Sequence, residues 1–573
     1  MEADRMRNVF FHKLACLAAI GLLQGCLLFQ PPGPAQPLDR DASQNPSMLA
    51  AYHYSLGVLN LLNEDSAEAV SEYERARQFD PESPLLAAEL AVLYGERGSF
   101  EKALALLNDV LKSHPRDVEV HFLLAGLYAN IKDHPNAVRA YQAVIALDPK
   151  HTPAHLYLGA VYAEQKDFQN ALDTIRKLLA NDPDHVIGRY YLAKILMELK
   201  QDDEAEKELK KVLEIRPSFE SAMTELGVLY EKQKKYALAI GIYDHITKIY
   251  PSRVRVRIRM GDLLLHEKRD AEADQVFGEI LQQHASNKEI ALTVGLIYLE
   301  RERPDRAVDL FGKLHASHPD DQKIRYLLAA AYSEKSQNRQ ALEMFARITP
   351  DSDFYVNART HAATILKKEG KPDEAMKALR DAISVKKDAP GLYVFLSSLY
   401  DEKKDYAQAE QVLREGLDVL PKSKEILYGL GVFYEKTGRF EDGIEQMRQI
   451  LVIDPDHADA LNFIGYSYAD RNIRLDEAEE LIEKALQHKP GNAYIIDSLG
   501  WVYFRQDKLE RAIELLKEAV RLQPDDVAIS EHLGDAYVRT GQFKEALEIY
   551  QKMLKLNPDS KTLPGKISDL LKK

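Results

Sequence analysis

Histidines, carboxylates, cysteines and clustered arginines are the residues of this chain whose spacing could support chemistry. Seventeen histidines are scattered through 573 residues. His151 and His155 stand four apart, but Pro153 lies between them and no acidic third ligand follows at a fixed spacing, as a zinc site needs. The 90 acidic side chains recur at helical-surface spacing, where solvated faces account for them. No glycine-rich phosphate loop is present, and the glycines are explained by helix packing. The sequence therefore predicts no catalytic residues, no metal and no cofactor. Cys16 and Cys26 are the only cysteines, so the body beyond residue 26 has neither a disulfide framework nor a thiolate metal site. Arg253, Arg255, Arg257 and Arg259 alternate. Residues four apart share a helical face, so Arg255 and Arg259 form a candidate site for an acidic peptide or anionic glycan. Charge balance against acidic neighbours is the plainer reading.

The elements that must carry these residues are set by a repeat. Asp497-Ser498-Leu499-Gly500-Trp501-Val502-Tyr503 is followed by Ala512, Leu516, Ala519 and Pro524, and this pattern recurs with a period of 34. Units start at 50, 84, 118 and so on to 458; one extra residue within Ala469–Leu475 moves the last two starts to 493 and 527. Position 8 of each unit is small, as at Gly57, Ala91, Gly159 and Ser397, and position 20 is small as well, as at Ala69 and Ala103. Large apolar residues hold positions 7, 11 and 24, and proline often stands at 32, where it ends a helix.

This pattern resembles the tetratricopeptide repeat (TPR) family over nearly all of the chain from residue 50. The resemblance implies an all-α, right-handed superhelical solenoid of about fifteen helix-turn-helix units over residues 50–559, with a C-terminal capping helix over 560–573. No unit buries its apolar face alone, so stacking must supply the core. Ile567–Lys572, after Pro564-Gly565, reads as part of the short solvating cap. Position 32 departs from proline at Ala285, Asp353 and Lys387, and Pro350 falls early, so 349–355 is a candidate soft joint.

In the family the first helix of each unit lines a concave groove through positions 2, 5, 9, 12 and 13. In the early units positions 5 and 9 are apolar, as at Tyr54/Val58 and Phe122/Gly126. The last three units differ: Asn462, Tyr466, Asp470, Tyr494, Asp497, Trp501, Phe504, Arg505, Glu531 and Asp535 fall on or beside the inward positions. Aromatic platforms mixed with hydrogen-bonding groups are typical of recognition surfaces. Arg255 and Arg259, at positions 2 and 6, resemble the basic positions of carboxylate-clamp co-chaperones, but Lys194 and Val228 replace the clamp asparagines.

The first residues read as an address. Arg5, Arg7 and Lys13 precede the apolar run Leu14–Leu23, which at ten residues is too short to span a bilayer of roughly 30 Å. The run ends Leu23-Gln24-Gly25-Cys26, which resembles the lipobox of bacterial lipoproteins. That implies a signal peptide over 1–25, a lipidated Cys26 and, over 26–49, a proline-rich spacer. Leu27 rather than aspartate after the cysteine implies, by the same resemblance, the outer membrane, with the body facing the periplasm.

Composition agrees with a long soluble array: 45% hydrophobic and 29% charged residues, with a net charge of −14. An acidic chain with no clustered basic footprint excludes a general nucleic-acid binder. The expected function is a lipid-anchored scaffold that holds other proteins of an envelope assembly or export complex. The second expectation, by resemblance to TPR lipoproteins of exopolysaccharide export, is an adaptor that touches polysaccharide directly.

Overall fold

A computed structural model of the chain describes residues 45–572. Cys16, Cys26, the run Leu14–Leu23 and the proline-rich stretch up to residue 44 lie outside the described residues. Among the described residues there are 31 helices and no strand. Thirty of them form fifteen consecutive pairs, and the first helices begin at Pro84, Val118, Thr152, Val186 and Glu220, on the 34-residue grid read from the sequence. The chain divides into two compact units, Met1–Gln283 and His284–Lys573. In the first, buried clusters gather around Tyr73 and Leu107 and around Tyr141 and Leu158. In the second they gather around Phe345 and Leu396 and around Ile464 and Leu516.

Pairing rests on complementary size at positions 8, 20 and 24. A Cβ added at Gly57 would lie 2.3 Å from Tyr73, one at Gly261 2.5 Å from Phe277, and one at Gly295 2.4 Å from Phe311. Leucine at position 24 faces alanine at position 8 in Leu107/Ala91, Leu209/Ala193 and Leu379/Ala363, and faces glycine in Leu516/Gly500. Ser397 is the polar exception, and its buried hydroxyl donates to the Ala409 carbonyl at 2.9 Å.

The turn within each pair is equally regular. Position 15 has positive φ in all fifteen repeats, from Glu64 (61°) to Gly541 (76°), although glycine stands there only at Gly98, Gly370, Gly438 and Gly541. The extra residue of the thirteenth repeat lies in this turn. Asn472 keeps the usual left-handed conformation, Arg474 adds a second at φ 48°, and the second helix starts one residue late at Leu475. Side-chain caps fix many first helices. The Val120 N–H donates to Asp117 Oδ1 at 2.9 Å, and His151, His185 and His457 accept the same bond through Nδ1. His151 is thus a helix cap, and His155 lies buried with its Nδ1 3.1 Å from the His151 carbonyl.

Two boundaries differ from the sequence reading. The first helix runs Pro46–Leu62, so residues 46–49 belong to it and not to the spacer. Asn45 caps it, and Pro46 stands in the first turn, where a missing N–H costs nothing. The final helix is Leu563–Leu570, with Pro564 and Gly565 inside its first turn. It buries Leu563 and Leu570 and so covers the fifteenth repeat as well as solvating it. Across 349–355, the second helix of the ninth repeat stops early as Asn338–Ala346, and the next begins at Tyr355. Arg359 satisfies the shortened end by donating to the carbonyls of Phe345, Ala346 and Ile348 at 3.0, 3.2 and 3.1 Å.

Candidate functional site on the last three repeats

Three consecutive first helices build the site: Ala458–Asp470, Ala493–Arg505 and Val527–Arg539. Its centre is a hydrogen-bonded imidazole–carboxylate pair with rings around it. His532 Nδ1 lies 3.0 Å from both carboxylate oxygens of Asp497, so that nitrogen carries the proton it donates. Asp497 is only 6% exposed, and one buried carboxylate held by one imidazole fixes both side chains. The His532 ring stacks on Trp501 at 4.2 Å and 20°, and Trp501 stacks on Phe504 at 4.7 Å and 13°. Tyr466 approaches His532 from the preceding helix, with ring centroids 6.2 Å apart. Burial, then the charges of Asp470, Asp497 and Glu435, push the Tyr466 phenol up to about 12, so it remains a neutral donor.

Several polar atoms here are buried and unmatched. Trp501 is 8% exposed, and its Nε1 has no hydrogen-bond partner; neither has Asn462 Oδ1, Arg505 Nε or Ser530 Oγ. Buried polar groups are nearly always paired, so the Trp501 donor within the stack and the Asn462 acceptor on the preceding first helix are each left open for a ligand. The Arg505 guanidinium lies 5.8 Å from the Trp501 ring and donates to the Asp470 carbonyl at 3.0 Å.

The residues expected from sequence divide into three groups. Tyr466, Asp497, Trp501 and Arg505 are brought together, and Asn462 lies on the same helix one turn before Tyr466. Tyr494 and the Asp470 carboxylate are exposed. Glu531 and Asp535 are instead engaged by the final helix: Lys566 Nζ lies 2.8 Å from Glu531, and 2.6 and 2.8 Å from the two Asp535 oxygens. Tyr550 also donates to Asp535. His532 was not singled out from sequence, although its place gives a signal. Position 6 of one repeat repeatedly meets position 5, 9 or 12 of the repeat before, as in Glu225–Lys194 (3.8 Å) and Arg259–Glu231.

The arginine cluster is largely matched internally. Arg259 binds Glu231 through Nε at 2.9 and 3.1 Å and approaches Asp262 at 3.4 Å. Arg257 is buried and bonded to Glu279 at 2.9 Å and Gln283 at 2.5 Å, and Arg253 pairs with Glu220 at 2.6 Å. Arg255 alone of the four is exposed without a partner among the described residues. No group of three or more His, Cys, Asp or Glu side chains is disposed to hold a metal among the described residues. No helix among them is long and apolar enough to cross a membrane.

Comparison with known proteins gives matches along both units. Models described as tetratricopeptide repeat match residues 89–152, 133–186, 162–226, 221–252 and 298–361. The model described as the C-terminal domain of cilia and flagella-associated protein 70 matches 346–563. The TPR repeat-containing protein PA4667 of Pseudomonas aeruginosa is 35% identical over 164 residues, 28% of each chain. The BBSome complex member bbs-4 of Caenorhabditis elegans is 28% identical over 109 residues, 18% of this chain and 23% of its own. The chain thus spans 28% and 23% of the length of these curated relatives. Among solved structures, Naa15/Naa10 bound to HypK-THB aligns with a TM-score of 0.42 at 12% identity, covering 91% of this chain and 96% of that one. Yeast Tom70 aligns with a TM-score of 0.38 at 16% identity, covering 79% and 95%.

Proposed function

We propose that this chain, which belongs to the tetratricopeptide-repeat family, is a non-enzymatic scaffold anchored by a lipid on Cys26 and holding protein partners of the bacterial envelope. The fold supports binding to other proteins, since stacked first helices present an extended surface. One observation carries the choice of site: Trp501 Nε1, in a ring stack locked by Asp497 and His532, and Asn462 Oδ1, on the preceding first helix, are buried and unpartnered. A peptide segment supplies an amide donor and acceptor in one group, which matches that pair. The anchor and the outer-membrane address rest on Leu23-Gln24-Gly25-Cys26 and Leu27.

Capture from crosslinked envelopes tests the site. Asn462→Ala and Tyr466→Phe each reduce recovery of the bound proteins while leaving helicity unchanged. Undiminished recovery from the double variant would remove the site. Mass spectrometry of the mature N-terminus tests the anchor separately: a chain beginning at acylated Cys26 is expected, and an unmodified residue upstream of it contradicts the address.

The alternative is an adaptor of exopolysaccharide export. It is favoured by an open indole donor within stacked rings, an arrangement that also suits sugar hydroxyls. Calorimetric titration with purified polysaccharide separates the two: heat lost in Trp501→Phe assigns the stack to glycan, and no heat assigns it to protein.

A further inference from the structure

We propose that the first helix, Pro46–Leu62, is a self-association surface that pairs two copies of this chain about a two-fold axis through Ser55. Within each unit, the first helix of a later repeat is covered by the second helix of the repeat before. Position 3 shows this contact directly. A Cβ added at Gly188 would lie 2.8 Å from Leu178, and one at Gly416 would lie 2.8 Å from Ile426. Positions 3 and 10 are accordingly buried, as at Leu86 and Leu93 or Val120 and Leu127.

The first repeat has the same face with nothing among the described residues to cover it. Tyr52 at position 3 is 59% exposed, Leu59 at position 10 is 51%, Leu62 is 77% and Met48 is 46%. The opposite end is closed: Leu563 and Leu570 occupy positions 3 and 10 of a truncated sixteenth unit, and both are buried. The open face is therefore shaped for a helix by the register that shapes the interfaces between repeats within each unit.

The occupant follows from the order of side chains along the stripe. Met48, Tyr52, Ser55, Leu59 and Leu62 recur at helical spacing, large and apolar at both ends and small at the centre. Ala51 and Ser55, both exposed, leave room for close approach at the crossing. The Ser55 hydroxyl donates to the Ala51 carbonyl at 2.8 Å, so its polar group is already satisfied. An antiparallel copy sets Met48 against the partner's Leu62 and Tyr52 against the partner's Leu59. That is an isologous contact, self-complementary by construction.

Charge permits the pairing. The helix contains no Asp, Glu, Lys or Arg, in a chain of net charge −14. Antiparallel packing sets Glu64, just past the end of one helix, near the positive N-terminal end of the other. The helix has 17 residues against 13 for most first helices, which gives a stripe of about 21 Å from Met48 to Leu62. A contact of this size lies near the lower end of specific interfaces, about 1,200 Å² in total, so the dimer is reversible.

Site-specific oxidation of the full chain tests this. In a Cys16→Ser/Cys26→Ser background, Ser55→Cys places the only thiol on the axis. A disulfide-linked dimer is expected at least tenfold above that of Glu101→Cys, an exposed control on the second repeat. Adding Leu59→Glu and Leu62→Glu, both already exposed, abolishes the dimer without loss of helicity by circular dichroism. Ser55→Cys giving no more dimer than Glu101→Cys overturns the proposal, as does a dimer indifferent to the two glutamates. If instead the cysteine-free chain stays monomeric in light scattering and floats with phosphatidylethanolamine–phosphatidylglycerol vesicles until the glutamates are introduced, the face belongs to a lipid surface and the two-fold pairing is refuted.

Discussion

Gly261 and Trp501 mark the two kinds of residue in this molecule, those that let helices approach and those that fill the surface between repeats. Gly261→Ala puts a Cβ 2.5 Å from Phe277, whose ring is fully buried. Overpacking of this kind is expected to cost about 1–3 kcal/mol, read as earlier urea unfolding and lost amide protection in the seventh repeat. Trp501→Ala removes a ring held between His532 and Phe504 and is expected to cost about 3–5 kcal/mol, as for other buried aromatic truncations. Asn462→Ala and Tyr466→Phe are the cleaner probes of binding because they leave that stack in place. The small residues at positions 8 and 20 were legible in the sequence, since steric demand repeats at a fixed period. The Asp497–His532 pair was not, because its partner is selected by how neighbouring repeats align across the stack. Glu531 and Asp535 were read as groove residues for the same reason: only the placed final helix shows that Lys566 takes them.

Helices and turns carry the next set of consequences. The shortened helix Asn338–Ala346 ends on carbonyls that Arg359 alone satisfies from the following helix, among the side-chain bonds described. Arg359→Ala is expected to destabilise the ninth repeat by about 1–3 kcal/mol, with faster hydrogen exchange over residues 338–348. The early Pro350 pointed to this place in the sequence, but the arginine that stitches it did not follow from any motif. The period itself placed the helix starts because turn and packing constraints repeat together. It misplaced both ends of the array, where Asn45 and Pro46 begin a helix early and Pro564-Gly565 open one. Alkaline pH is felt at this scale too. Tyr434, Tyr466 and Tyr503 are pushed from 10.0 to about 12, first by burial and then by nearby carboxylates. Below pH 10 folded and unfolded chains hold these protons alike. Between about pH 10 and 12 the unfolded chain releases them and the folded chain does not, so stability falls as pH rises through that window. Thermal midpoints followed by circular dichroism from pH 8 to 12 are expected to stay level up to pH 10 and then drop.

The whole molecule is two compact units built on one repeat, each with its own buried clusters. Such arrays offer extended concave surfaces for binding, and the proposed function assigns specificity to the repeats that depart from the apolar pattern. The most direct test of that claim is site-specific photocrosslinking in intact cells from the exposed Tyr494, two turns before Trp501 on the same helix, compared with the exposed Glu518 on the second helix of the same repeat. The scaffold account predicts a discrete protein adduct from Tyr494, lost with Asn462→Ala/Tyr466→Phe, and none from Glu518. Equal labelling from both positions, or a Tyr494 adduct untouched by those substitutions, would contradict it.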